Sequence, residues 1–165
     1  MENLRIAFSH GTSLISRIIR WFTRSNVNHC LFLVSERGQD YVIGADWDGL
    51  RMQSRKHFEK DGSTIAVAPL LMSLDDHLPE LLEKLTTPYD YTGLIGMIPV
   101  EAARFWFRKR IHNPFHQAGA LFCSEVGVKF LQLSGYPESS KLDASATDPG
   151  FLQGWLLDVY QRFHK

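Results

Sequence analysis

Residues 122–128 read Phe-Cys-Ser-Glu-Val-Gly-Val and place Cys123 at the predicted first turn of a helix. The free N–H groups and the partial positive charge of a helix N-terminus favour a thiolate over a thiol. Because the thiolate is the reactive form of cysteine, this position predicts a nucleophile. The alternative is a buried cysteine on an ordinary apolar helix face, since Val126 and Val128 follow it.

A thiolate mechanism also needs an imidazole and a polar group that orients the imidazole. His29 opens an apolar run, residues 29–34, which predicts a central strand covered on both faces. Asp46 lies at the end of the next predicted strand and is the acid expected inside the sheet. The candidate catalytic set is therefore Cys123, His29 and Asp46, with the alternative that His29 is a structural histidine. Cys30, in the middle of the apolar run, is expected to be an inert core residue.

Hydrophobic periodicity predicts a mixture of strands and amphipathic helices. Strands are predicted over 4–8, 29–34, 41–47, 50–54 and 64–68, and helices over 13–24, 73–85, 91–111, 123–133 and from 148 to about 163. No linker or internal repeat divides the chain. We therefore expect one α+β domain over residues 1–165, with an antiparallel sheet packed against helices that include the helix led by Cys123.

Composition limits the classes of function. The 165 residues are 44% hydrophobic and 12% aromatic, enough for a substantial core. Lys+Arg and Asp+Glu both total 18, so no overall positive field favours nucleic acid. The N-terminal residues lack the apolar stretch of a signal peptide, and no run reaches the ~18 apolar residues of a spanning helix. Two free thiols in a cytoplasmic protein are expected.

Three motifs, in this order, resemble the circularly permuted NlpC-type papain-like cysteine hydrolases. This family includes YiiX-like proteins of bacteria and phages and, more distantly, lecithin retinol acyltransferase. The motifs are the helix and strand start over residues 13–29, the Tyr89-Asp90-Tyr91 segment and the Phe122-Cys123-Ser124-Glu125 segment. The resemblance implies a permuted papain-like fold with Cys123 as nucleophile and His29 as base. Cell-wall peptides, or lipid and other acyl conjugates, are the substrates that it implies.

One residue departs from the family pattern. Similar proteins usually have Val-Ile-Glu-Ala on the second strand, whereas this chain has Gly44 in place of the glutamate. Asp46, two residues further on and facing the same way, could replace the missing acid. Alternatively the site works as a dyad, or it has lost activity. The domain would then have a binding or structural role, as in a phage-type virion-associated accessory protein.

Several other residues are weaker candidates. Tyr89, Tyr91 and His10 could line the substrate cleft, although the two tyrosines could equally pack as ordinary aromatic residues. Only His112 and His116 have a compact metal spacing, in a loop with a proline, so we expect no metal or other cofactor. The aromatic and basic stretch 104–110 fits a peripheral membrane contact or, alternatively, the cationic end of a core helix. The sequence does not indicate the oligomeric state.

Overall fold

Five antiparallel strands form one sheet in the part of the chain that the computed structural model describes, residues 3–12, 14–46, 49–83 and 123–164. The strands are β1 (Asn3–His10), β2 (His29–Glu36), β3 (Gln39–Asp46), β4 (Gly49–Ser54) and β5 (Thr64–Val67). Their order across the sheet is β4-β3-β2-β1-β5. The five predicted strands and the α+β class are confirmed. β1 extends beyond its predicted end because His10 still pairs with Thr64 of β5.

Five α-helices lie in the described ranges: α1 (Leu14–Thr23), α2 (Arg55–Phe58), α3 (Leu78–Glu83), α4 (Cys123–Leu133) and α5 (Pro149–Phe163). The prediction of one helix over 73–85 was wrong at its start, because a 3-10 turn, Asp75–His77, precedes α3. Ser73 accepts a hydrogen bond from the Asp75 N–H at 3.2 Å, which makes a tight turn. Pro79 has no N–H and fits only the first turn of an α-helix. The predicted helix over 91–111 lies outside the described residues.

The register of β2 with its two neighbours fixes which residues share a face. His29 pairs with Ser9 and Cys30 with Phe8 of β1, whereas Leu31 pairs with Gly44 of β3. Since side chains alternate along a strand, His29 and Leu31 belong to one face of the sheet and Cys30 to the other.

Apolar side chains cover both faces of the sheet. On one face, the strands pack against α4 and α5, and Phe32 meets Phe130 of α4 edge to face with ring centroids 5.0 Å apart. On the opposite face, a smaller cluster contains Ala7, Leu31, Leu33 and Val42, with Phe58 and Ile65 packed against it. Cys30 therefore faces the helix that begins with Cys123.

The start of α5 follows from two residues. Asp148 is the N-cap, and its carboxylate accepts a hydrogen bond from the Phe151 N–H at 3.0 Å. Pro149 is the first helical residue, where its missing N–H costs nothing. The prediction of a helix beginning at this pair is confirmed. Across the described residues, none of the helices is long and apolar enough to span a membrane.

Candidate active site

Cys123 is the first residue of α4 and is buried, with 6% of its surface exposed. The two residues after it hold this turn in place. The Ser124 hydroxyl donates to the Thr147 carbonyl at 2.6 Å, which ties α4 to the segment before α5. Glu125 is completely buried and forms an ion pair with Lys129 at 2.6 Å, one turn along the helix. The nucleophile candidate therefore lies on a rigid element.

Opposing effects act on the Cys123 thiol. Burial raises its pKa, whereas the backbone N–H groups of Cys30, Ser124 and Cys123 itself lower it, and the nearby Asp148 carboxylate raises it. Burial is the largest effect, and the pKa of Cys123 rises to about 11. The N–H groups at the start of the helix favour the thiolate, as expected from the sequence, but burial, which the sequence did not indicate, outweighs them. At neutral pH the sulfur holds its proton and needs a base to become nucleophilic.

His29 is the first residue of β2, and its ring rests against Gly44 of β3. A Cβ placed on Gly44 would lie 3.0 Å from His29 Nε2 and 3.5 Å from the Leu31 Cβ. The imidazole therefore turns Nε2 toward Gly44. The contact is too close for a side chain at position 44 unless the ring moves.

The structure brings Cys123 and the start of β2 together. The thiol lies at the backbone N–H of Cys30, the residue that follows His29. The His29 side chain, however, starts on the face of Leu31 and Gly44, and Cys30 faces α4. An imidazole that serves the thiol must therefore reach it around the end of β2, where His29 is the terminal residue.

The structure describes the other predicted site residues to different extents. Asp46 is the last residue of β3 and pairs with Gly49, and the placement of its side chain is outside the described part of the structure. Tyr89 and Tyr91 lie outside the described residues. His10 ends β1 with an exposed ring, and its Nδ1 donates to the Asn26 carbonyl at 2.7 Å. This bond leaves Nε2 of the neutral ring as the acceptor.

Cys30 is a buried core residue, as predicted, but its role at the interface with α4 was not foreseen. Its sulfur lies against Gly127 of α4, where an added Cβ would be 2.8 Å from the Sγ atom. The two small residues let the strand and the helix approach closely. Their sizes were visible in the sequence, but the register that makes them neighbours was not.

These elements define an α+β protein with a five-stranded antiparallel sheet and a buried cysteine at the start of a helix packed on it. A solved structure with a similar fold is that of the metalloprotein YiiX, DUF1105, from Escherichia coli O157:H7. The TM-score is 0.57 at 21% sequence identity, and the match covers 80% of this chain and 65% of that chain. The chain thus spans less than two thirds of the YiiX structure, and the similarity establishes a shared fold. No protein-family model and no curated protein matches the sequence.

The description of YiiX as a metalloprotein raises the question of a metal site here. Within the described ranges, no three His, Cys, Asp or Glu side chains converge in a way that could hold a metal ion. These residues therefore do not fit such a site. His112 and His116, the pair with metal-like spacing, lie outside the described residues.

Proposed function

We propose that this protein is a cysteine hydrolase on a permuted NlpC-type papain-like domain, and that it cleaves an amide or ester bond. The observation that carries the proposal is the position of the Cys123 thiol, at the first turn of α4 and beside the residue that follows His29. The YiiX-like fold supports it. The substrate class is a cell-wall peptide or a lipid or other acyl conjugate, and the aromatic content of the chain favours the apolar alternative.

The chemistry begins with proton transfer. His29 takes the proton of Cys123 as the sulfur attacks the substrate carbonyl, and the backbone N–H of Cys123 stabilises the oxyanion. The imidazolium protonates the departing amine or alcohol, which leaves an acyl group on the sulfur as a thioester. Water, deprotonated by His29, then releases the acid and returns the thiol. Because burial raises the pKa of the Cys123 thiol, transfer of its proton to His29 accompanies the attack of the sulfur.

The group that orients His29 is not the glutamate of the family pattern. Gly44 supplies no side chain, so His29 works either as half of a dyad or with Asp46 as a substitute acid, two residues along β3. Loss of an orienting acid lowers catalysis by orders of magnitude and leaves substrate binding in place. For the dyad we therefore expect slow turnover, and for His29 with Asp46 as its acid we do not.

Thiol labelling tests the proposal without knowledge of the substrate. Native protein is treated with iodoacetamide, and the alkylation rates of Cys123 and Cys30 are measured by peptide mass spectrometry. Cys123 is expected to react faster than Cys30, and His29→Ala is expected to lower its rate by roughly 100-fold, as for loss of a general base. His57→Ala, an exposed histidine on α2, is the matched control and should change nothing. Equal rates for the two cysteines, together with no effect of His29→Ala, would overturn the proposal.

A second candidate function is a non-catalytic binding or structural domain on the same fold. Two observations favour it: glycine at the acid position, and a thiol whose pKa is raised to about 11. It predicts no turnover of peptidoglycan fragments or acyl esters, with ligand binding retained after Cys123→Ser. Hydrolysis that disappears in Cys123→Ser would eliminate this candidate.

A peripheral membrane contact through the aromatic and basic stretch 104–110 is compatible with either function. This stretch lies outside the described residues, so the contact stays a prediction from the sequence. The expected cytoplasmic location and the expected absence of nucleic-acid partners also stay predictions from the sequence.

A further inference from the structure

The two cysteines of the chain are neighbours across the interface between β2 and α4. Cys30 has 2% of its surface exposed and Cys123 has 6%, and both belong to the same buried cluster. Both are free thiols. The proposed mechanism uses the sulfur of Cys123 alone and gives no task to the sulfur of Cys30.

Contacts from both sides place the two sulfur atoms in the same part of the interface between β2 and α4. The sulfur of Cys30 lies against Gly127, and Gly127 is one helical turn after Cys123 on the same side of α4. The sulfur of Cys123, in turn, lies at the backbone N–H of Cys30. The Cys30 sulfur therefore lies against a residue one helical turn after Cys123. The Cys123 sulfur lies at the backbone of Cys30 itself.

We propose that Cys30 is a resolving cysteine, which forms a disulfide with Cys123 when a peroxide oxidises the nucleophile. In the first step the Cys123 sulfur attacks the peroxide oxygen and the O–O bond breaks; the thiol proton passes to the departing oxygen, and the products are a sulfenic acid and water or an alcohol. In the second step the sulfur of Cys30 displaces the hydroxyl group, so that an S–S bond forms and water leaves. The peroxide is reduced by two electrons and the two thiols are oxidised by two electrons.

The surroundings favour an intramolecular bond. Both sulfur atoms are buried, so a second protein molecule or a bulky thiol cannot reach the sulfenic acid easily, whereas Cys30 belongs to the same buried cluster. A disulfide needs Cα atoms within ~7 Å, and Gly127 has no side chain to hold β2 away from α4. The bond blocks the Cys123 sulfur and is reversed by thiol reductants. A regulatory role for this disulfide rests on the proposed hydrolase function, whereas the formation of the disulfide does not.

The test is a peptide mass measurement after treatment of the full-length protein with hydrogen peroxide. Wild-type protein is expected to lose both free thiols and two hydrogens of mass, and to yield one disulfide-linked peptide pair that dithiothreitol separates. In Cys30→Ala, Cys123 is expected to gain oxygen atoms as sulfinic or sulfonic acid. In Cys123→Ser, Cys30 is expected to stay reduced, because the initiating thiol is missing.

Two results would overturn the proposal: over-oxidation of Cys123 in the wild type while Cys30 stays free, or disulfides formed only between molecules. Far-UV circular dichroism before treatment checks that each variant is folded, and diamide, which oxidises thiols directly, tests the proximity of the sulfurs in the wild type alone. Loss of hydrolysis on oxidation and recovery with dithiothreitol is a separate readout. A disulfide without any hydrolase activity would sustain this inference and count against the proposed function.

Discussion

Nε2 of His29 lies next to Gly44 of β3. An added Cβ at position 44 would lie only 3.0 Å from that nitrogen, so a residue larger than glycine fits only if the ring moves. The ring therefore occupies the space next to position 44. A carboxylate placed at this position by substitution would displace the ring by a few tenths of an ångström, because its first carbon would lie 3.0 Å from Nε2. The identity of one residue thus sets the position of the candidate base.

Gly44→Ala is expected to slow the alkylation of Cys123. The new methyl group pushes the imidazole away from β3, and a misplaced base can cost up to ~100-fold in rate, so we expect a fall of roughly tenfold. The measurement is the iodoacetamide rate of Cys123, with the His29 ring signals followed by nitrogen-15 NMR. Gly154→Ala, where an added Cβ meets nothing within 4 Å, is the control. Displaced ring signals with an unchanged rate would show that His29 does not serve the thiol.

The sequence predicted the residue types of this site better than their environment. Cys123 was found because a helix start is visible as a local pattern, and α4 does begin there. The raised pKa was missed because burial depends on what packs over the sulfur, and no local pattern reports that. The contact between His29 and Gly44 depends on the pairing of two strands, which alternation alone does not fix.

At the scale of the elements, the approach of β2 to α4 depends on small residues. Gly127 lets the sulfur of Cys30 lie against the helix, and Leu152 of α5 closes the same space, 3.1 Å from an added Cβ. A glycine inside a helix costs about 1 kcal/mol relative to alanine. The chain keeps this glycine because the packing of three elements requires its small volume.

Gly127→Ala is expected to destabilise the protein even though it improves helix propensity. The added methyl group would lie 2.8 Å from the Cys30 sulfur, and overpacking costs about 1–3 kcal/mol, more than the ~1 kcal/mol gained from propensity. In the matched control Gly154→Ala, the same gain occurs without a collision, so its free energy of unfolding should rise. Urea denaturation measures both.

A third variant tests the cause of this loss. If the Cys30 sulfur is the obstacle, Gly127→Ala combined with Cys30→Ala should be more stable than the sum of the single effects by about 1 kcal/mol. Strict additivity would assign the loss to Leu152 instead. The double variant therefore separates the contribution of Cys30 to this loss of stability from that of Leu152.

Element boundaries were predictable where a cap decided them. Asp148 and Pro149 indicated the start of α5, and the cap forms as expected. The helix over 73–85 failed at its start because Ser73 and Pro79 act through backbone geometry that hydrophobic periodicity does not register. α2 was not predicted, since a helix of four residues carries too few positions for a periodic signal.

For the whole molecule, the buried cluster between the sheet and the helices contains both thiols. Sequence patterning was sufficient for the α+β class and the five strands, because each strand carries its own apolar run. The order of the strands and the packing of both cysteines in one cluster depend on contacts between residues far apart in the sequence. Any charge that forms on either sulfur therefore forms inside the main core.

The stability of the whole fold should consequently fall in alkaline solution. Burial raises the pKa of Cys123 from 9.0 to about 11, and it raises the pKa of Cys30 as well, with the neighbouring Cys123 adding to the effect. Above pH 9 the unfolded chain releases thiol protons that the folded protein still holds, so unfolding becomes more favourable as pH rises toward 11. A shift of two units in one thiol corresponds to about 2–3 kcal/mol. Below pH 9 neither state has lost these protons, and this contribution is fully present.

Urea denaturation across this pH range measures the effect, with Cys123→Ala and the double variant Cys30→Ala, Cys123→Ala for comparison. The wild type should lose the most stability between pH 9 and about 11, Cys123→Ala less, and the double variant least. Tyr136, whose pKa burial also raises, contributes a remaining slope of the same sign in all three proteins. Parallel slopes in the three proteins would mean that the thiols ionise as easily in the fold as outside it. The sulfur of Cys123 would then be a thiolate at lower pH than its burial implies, and catalysis by it would no longer depend on a coupled proton transfer.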